Sequence, residues 1–502
     1  MLRQRQRLVR STNALYTRQF SQNVTLRNSS PAAAAAANAG EDARNDDLPL
    51  KDRFIALKAN IVVKTSTAPS ATAASRTLSN HYSPYHATVT ELLIAHGANI
   101  LPNANMDEFG MGSHSQNSWL GPVKSRFRRD GMALSPGGSS GGSAVLVEGG
   151  LVWGAVGTDT GGSVRLPAAW NGVCGFKPSY GRVSRWGVIQ YANSLDTVGV
   201  LSKGVAGCKT MFGLLDRFDE RDPTSLPERV RNRFTTNERK QEGRLRIGIP
   251  LEYNISSLSA AVKSTYTSLL NTLQDAGHTL IPVSLPSTKS ALSAYYILAP
   301  AEASSNLAKY DGIRYGHRTS PGPDASPNAD PALPLYAQTR SESFGDEVKR
   351  RILLGAYTLS SEAMDNYFIQ AQKIRRLVQR DFDRVFSTPN PLLDHHEHFP
   401  GEESNEVDFL LTPTAPTLPP TIQDLSQQTP VESYMNDVFT VPASLAGLPA
   451  ISIPVPLSKD VRKEMDEEDI KSSGMQLIGQ FGDDEEVLAA AEEVERLVRC
   501  DT

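Results

Sequence analysis

Between residues 131 and 166 the chain reads GMALSPGGSSGGSAVLVEGGLVWGAVGTDTGGSVRL, with two glycine-serine clusters, Pro136–Ser143 and Thr158–Ser163. Glycine is placed where a backbone must take φ > 0 or come close to another group. Such a stretch folds as tight loops against something, and not as one long amphipathic helix. Tight structural loops account for it in part, and three chemical readings compete with them. A phosphate cradle is excluded, because neither cluster fits GxxxxGK[ST] and no lysine follows the glycines. A nucleophile elbow, GxSxG centred on Ser139 or Ser140, needs a strand just before it, and Asp130–Pro136 is a poor one. The third reading is a serine activated without histidine. A hydroxyl needs a base within hydrogen-bonding reach, and a lysine serves if burial makes its neutral amine available. Lys58 ends the apolar run Phe54–Leu57. Local context leaves it either a solvated edge lysine or a desolvated base.

The rest of the chain bounds these readings. Its 502 residues amount to about two to four ordinary domains, or one large domain with insertions. Apolar residues with glycine make up about 46%, an ordinary globular share that excludes wholesale disorder. Cys174, Cys208 and Cys500 are odd in number and far apart, which fits neither a disulfide framework nor a CxxC metal pair. No run of about 18 uncharged apolar residues exists, since Ser143–Val156 is interrupted by Glu148; membrane insertion is not expected.

Charge is unevenly placed. Residues 1–40 hold six arginines and no acid, the composition of a mitochondrial transit peptide followed by an alanine-rich linker. The remainder holds 45 basic against 55 acidic residues, a poor surface for gripping nucleic acid. Residues 319–334, 389–406 and 459–473 read as insertions. The second contains His395, His396, Glu397 and His398, which lack the spacing of a metal site and read as a solvated loop.

Apolar runs predict strands at Phe54–Leu57, Leu245–Ile249, Thr279–Val283, Phe409–Leu411 and Ala450–Val455. Helical periodicity predicts helices at Ala261–Gly277 and Ser361–Phe386, each with an apolar stripe for a core. Strands alternating with helices argue for an α/β layered fold.

The segments ALKAN (56–60), NMDEFGMGS (105–113), PGGSSGGSA (136–144), GTDTGGSVRLPAA (157–169), GFKPSYGRVSRWG (175–187) and SLDTVG (194–199) resemble the amidase signature family. NLAKYDGIRYG (306–316), EVKRRILLGAYTLSS (347–361), NDVFTVPASLAGLPAISIP (436–454) and MQLIGQF (475–481) are similar to its glutamine-hydrolysing amidotransferase branch. The resemblance covers roughly residues 50–500 and implies one domain over 47–500, a central mixed, twisted sheet covered on both sides by helices.

It also implies a Ser–cisSer–Lys triad, with Ser163 as nucleophile, Ser139 as bridging serine after a cis peptide, and Lys58 as base. Backbone amides of Thr160, Gly161, Gly162 and Ser163 would form the oxyanion hole. Arg351, with Arg350 as a rival, and Asp437 would hold the α-carboxylate and α-amino groups of glutamine. No cofactor is expected in this chain. Its implied partners are a B-type amidotransferase subunit, which binds tRNA and ATP with magnesium, and a small third subunit of C or fungal F type, all in the mitochondrial matrix. A stand-alone amidase and a weakly active scaffold subunit are the alternatives. Two departures stand out: Ala59 replaces the aspartate usual after the lysine, and Pro102-Asn103 replaces a usual Gly-Lys.

Overall fold

The computed structural model describes residues 48–66, 68–234, 244–319, 336–393, 406–464 and 469–500. The transit-like segment 1–40, His395–His398 and all of 319–334 except Thr319 lie outside the described residues. In chain order the strands are β1 (Phe54–Lys58), β2 (Asn99–Ala104), β3 (Arg128–Arg129), β4 (Met132–Ala133), β5 (Gly154–Asp159), β6 (Cys174–Lys177), β7 (Thr197–Ser202), β8 (Arg246–Pro250), β9 (Thr279–Val283), β10 (Phe409–Pro413), β11 (Ala450–Pro456) and β12 (Ser472–Ile478). β3 and β4 pair as a separate ribbon, and the other ten form one sheet in the order β2-β1-β5-β7-β6-β11-β12-β10-β8-β9. Pairing is parallel at both ends and antiparallel through the centre, from β5 to β10.

Side chains alternate across a strand, so each strand feeds two cores. On one face Ile55, Leu57, Val156, Phe176, Ile451 and Leu477 pack with Val89, Phe212, Leu269 and Leu488 from four helices. These helices are Thr88–Ala95, Val205–Leu215, Ala260–Asp275 and Asp484–Cys500. On the other face Ala56, Ala155 and Leu201 pack under the helix Gly141–Glu148. Leu410, Ala450 and Ile478 pack there with the helices Ala291–Asn306, Phe368–Val385 and Val441–Ala446. Lys58 shares the parity of Ala56, which carries it toward this second face.

The five strands expected from apolar runs are all present, each within two residues of its expected ends. Two expectations need correction. The helix expected at Ser361–Phe386 begins at Phe368, and Met364, Tyr367 and Leu377 of its supposed core stripe are exposed. Turns capped locally at Ser360 and Ala363 hold 360–367. The segment 459–473 is not all loop, since it holds the helix Lys459–Glu464 and the start of β12. Among the described residues, no helix is long and apolar enough to cross a membrane.

Candidate active site

β1 ends in Lys58, whose side chain has no solvent exposure. Its Nζ donates to Ser139 Oγ at 2.7 Å and to the Thr158 carbonyl and hydroxyl oxygens at 3.0 Å each. Among the described residues no carboxylate bonds it; Asp107, Asp159 and Asp196 act on it only through space. Burial therefore dominates and lowers Lys58 to about 7, so the neutral amine is well populated near neutral pH. The solvated-edge reading of this lysine is thereby excluded. Ala59 packs against Ala74 and Met106, so the neighbouring position has no part in holding the amine.

Ser139 is buried and follows a cis peptide bond from Gly138. The loop before it is held by Asp107, whose carboxylate accepts from the amides of Ser115 and Asn117 at 2.8 and 2.9 Å. The Asp107 amide donates to the Ser139 carbonyl at 3.3 Å. A Cβ on Gly138 would lie 2.3 Å from Asp107 Oδ2, so only glycine fits there. Burial raises Asp107 to about 6, against the pull of those amides.

Ser163 lies in the turn after β5, and its carbonyl accepts from the Ser140 amide at 3.1 Å, joining the two glycine-serine clusters. It is the most accessible of the three, 9% exposed against 1% for Ser139 and none for Lys58. Asp159 organises the turn by accepting from the amides of Gly162 at 2.8 Å and Val164 at 3.1 Å. Arg165 closes on Asp159 from the side, with Nε and Nη2 at 3.0 and 2.8 Å. Its remaining N–H groups reach the Thr440 carbonyl, Gln476 Oε1 and Ser444 Oγ, so all five donors are used at a site with no solvent exposure. Burial pushes Asp159 up, but the Arg165 guanidinium outweighs it and holds the carboxyl at about 2. Of the amides in the expected oxyanion set, that of Gly162 donates to Asp159.

A second group is built around Arg351 and Asp437. Arg351 is 3% exposed, donates from Nε to Glu347 and from Nη1 to Tyr191, both at 2.7 Å, and sits over the rings of Tyr191, Tyr296 and Tyr434 at 5.3–5.7 Å. Its charge is held on firmly by these partners, against burial. Arg350 points outward, with its side chain 49% exposed. Asp437 Oδ2 accepts from Ser113 Oγ at 2.8 Å and Tyr296 OH at 2.9 Å, while burial raises it to about 6. Thr440 joins the two groups, because its hydroxyl bonds the carbonyls of Gly161 at 2.6 Å and Asp437 at 3.1 Å.

Sequence reasoning did not single out Asp107, Asp159, Arg165, Tyr191, Glu347, Tyr296 or Tyr434. Asp107, Asp159 and Arg165 stood inside quoted motifs, where a charged residue among glycines and apolar residues was the available signal; Glu347 stood in the charge-rich stretch DEVKRR, which gave none. The tyrosines come from separate segments and carried none.

A family model described as Amidase matches residues 11–488. The chain belongs to the amidase family. Within that family it is 52% identical over 473 residues to the A-type subunit of the mitochondrial glutamyl-tRNA(Gln) amidotransferase of Ajellomyces capsulatus, covering 89% of each chain. It is 49% identical over 498 residues to the protein of the same name from Neurospora crassa, covering 90% of each. Among solved amidases, the A-type subunit of the glutamyl-tRNA(Gln) amidotransferase of Thermotoga maritima superposes with a TM-score of 0.66 at 31% identity, covering 88% of this chain and 83% of that one. An amidase at 24% identity shares the fold, with a TM-score of 0.68 over 97% of this chain and 95% of its own.

Proposed function

We propose that this amidase is the glutamine-hydrolysing component of a glutamyl-tRNA(Gln) amidotransferase, working in mitochondria. The observation that carries the chemistry is the fully buried Lys58 amine 2.7 Å from Ser139, beside a turn that presents Ser163. Neutral Lys58 takes a proton from Ser139, which takes one from Ser163, and Ser163 Oγ attacks the side-chain amide carbon of glutamine. The amides of Thr160, Gly161 and Ser163 hold the oxyanion, each such donor worth roughly 3 kcal/mol. The proton returns through Ser139 to the departing nitrogen, ammonia leaves, and water then releases glutamate from Ser163.

Arg351 holds the α-carboxylate, as planar guanidinium suits a planar anion, and Asp437 holds the α-amino group. Arg350 is set aside by its outward position. Ammonia passes to a B-type partner, which holds tRNA and ATP with magnesium, and a small third component of C or F type completes the complex in the matrix. The names and the close identity of the relatives support this division of labour.

The test is ammonia release from glutamine by the assembled complex, with Ser163→Ala alongside. Release should vanish in the variant, while added ammonium still supports Gln-tRNA(Gln) formation. Retained release would refute the assignment of Ser163, and equal turnover of simple aliphatic amides would refute the choice of glutamine.

A further inference from the structure

Arg351 carries five N–H donors, and the structure commits them selectively. Nε goes to Glu347 Oε1 and one Nη1 hydrogen goes to Tyr191 OH, each at 2.7 Å. Among the described residues it makes no other hydrogen bond, so the Nη1–Nη2 edge remains for a ligand. Glu347 is itself held on three sides. Oε1 also accepts from Tyr434 OH at 2.9 Å, Oε2 accepts from Arg350, and the residue is 9% exposed. Tyr434 in turn stacks on Tyr296 with ring centroids 3.9 Å apart, and the Tyr296 hydroxyl reaches Asp437. A continuous chain of contacts thus runs Arg351–Glu347–Tyr434–Tyr296–Asp437.

We propose that Glu347 is a positioning residue for substrate recognition. By occupying the Nε edge of Arg351 it forces an α-carboxylate onto the terminal edge alone, and through Tyr434 and Tyr296 it keeps that edge at a fixed distance from Asp437. This rests on the glutamine reading. A free α-amino acid is gripped by its carboxylate and its ammonium at once, so the spacing of the two grips decides where the side-chain amide falls relative to Ser163. Without Glu347 the guanidinium is still caged by three rings, but among the described residues only the Tyr191 hydroxyl at Nη1 is left to set its rotation, and nothing fixes Nε. Glu347 neither touches the substrate nor contributes to the proton path, and Arg350 only braces it from outside.

The experiment uses the assembled complex with glutamine, comparing Glu347→Ala, Glu347→Gln, Arg351→Ala and the double variant Glu347→Ala/Arg351→Ala. Glu347→Ala should raise the KM for glutamine about tenfold, with kcat within about twofold, as expected for one lost positioning contact to a charged group. Glu347→Gln keeps an oxygen acceptor and should stay within about threefold of the parent KM. The double variant should match Arg351→Ala alone, because Glu347 acts only through Arg351. Ammonium-supported transamidation should be unchanged in all four.

A KM for Glu347→Ala equal to the parent's would overturn the proposal. So would additive effects in the double variant, or a parallel fall of kcat and of the ammonium-supported reaction, which marks a structural role. Failure of the glutamine reading shows separately, as parent complex that releases no Ser163-dependent ammonia from glutamine.

Discussion

Lys58 and Arg351 are both buried cationic side chains, 0% and 3% exposed, yet the protein treats their charge in opposite ways. Lys58 touches two hydroxyls and a carbonyl, with its three acidic neighbours beyond hydrogen-bonding contact, and burial brings it to about 7. Arg351 touches the Glu347 carboxylate directly and stacks among three tyrosines, and it stays charged. The lesson is one of contact. Within one buried region, withholding a carboxylate leaves a neutral amine, and supplying one makes a fixed cation. On the proposed function, the reacting end is kept near neutrality and the recognition end is kept ionic.

The sharpest way to break this contrast is Lys58→Met. Glutamine hydrolysis should fall by about a thousandfold or more, since a general base is lost from a serine nucleophile. The fold should survive, because methionine carries no charge to desolvate. The sign for stability follows from the lowered value. Between about 7 and 10.5 the unfolded lysine binds its proton and the folded one does not. Parent stability therefore rises with pH across that window, and Lys58→Met should flatten the rise in denaturant melts taken at successive pH values.

Arg165→Met tests the support beneath the reacting end. It strands Asp159 without its ion-pair partner, and unfolding experiments should show a loss of about 3–5 kcal/mol, together with a disordered Ser163 turn and lost activity. Retained stability would mean that the backbone amides alone suffice to hold the carboxylate.

At the recognition end the effects are smaller and of another kind. Arg351→Ala should raise the KM for glutamine by roughly 10- to 100-fold with less change in kcat, because it removes binding and leaves the proton path intact. Arg350→Ala, at a half-exposed side chain, should change KM by about twofold or less. Steady-state kinetics on the pair settle which arginine faces the substrate.

Legibility in the sequence followed the same division. Several strands carry aliphatic runs, and those at 54–57, 245–249, 279–283 and 409–411 toward the flanks and at 450–455 in the centre marked them. β5, GAVGTD, and β6, CGFK, lie fully buried at the centre yet read as loop, because their partners approach so closely that glycine and alanine replace larger apolar residues. β12 was hidden behind a charged run for a different reason: its apolar residues start three positions after the strand does, at Met475. The triad positions were legible only through motif resemblance, since nothing local separates a buried Lys58 from an edge lysine. The 24-residue interval from Ser139 to Ser163 became physical once the Ser140 amide was seen to bond the Ser163 carbonyl. The tyrosine cage around Arg351 was illegible, as Tyr191, Tyr296 and Tyr434 stand on three segments that only the fold brings together.

The departures Ala59 and Pro102-Asn103 also resolve in space. Asn103 takes a φ of 61° and ties the loop at 69–71 through its side chain, donating to the Pro69 carbonyl at 2.8 Å and accepting from the Ala71 amide at 3.0 Å. That is a structural use of the position.

The central claim is that a neutral, buried Lys58 drives the chemistry, and its most direct test is the pH dependence of kcat for ammonia release by the assembled complex. Saturating glutamine keeps Asp437, which titrates at about 6, paired with substrate and out of the profile. The account predicts a single rising limb with an apparent pKa of about 7, as Lys58 loses its proton, and a plateau above it. A kcat that is flat over roughly pH 5.5–9, or that rises only near the ordinary lysine value of about 10, would contradict it.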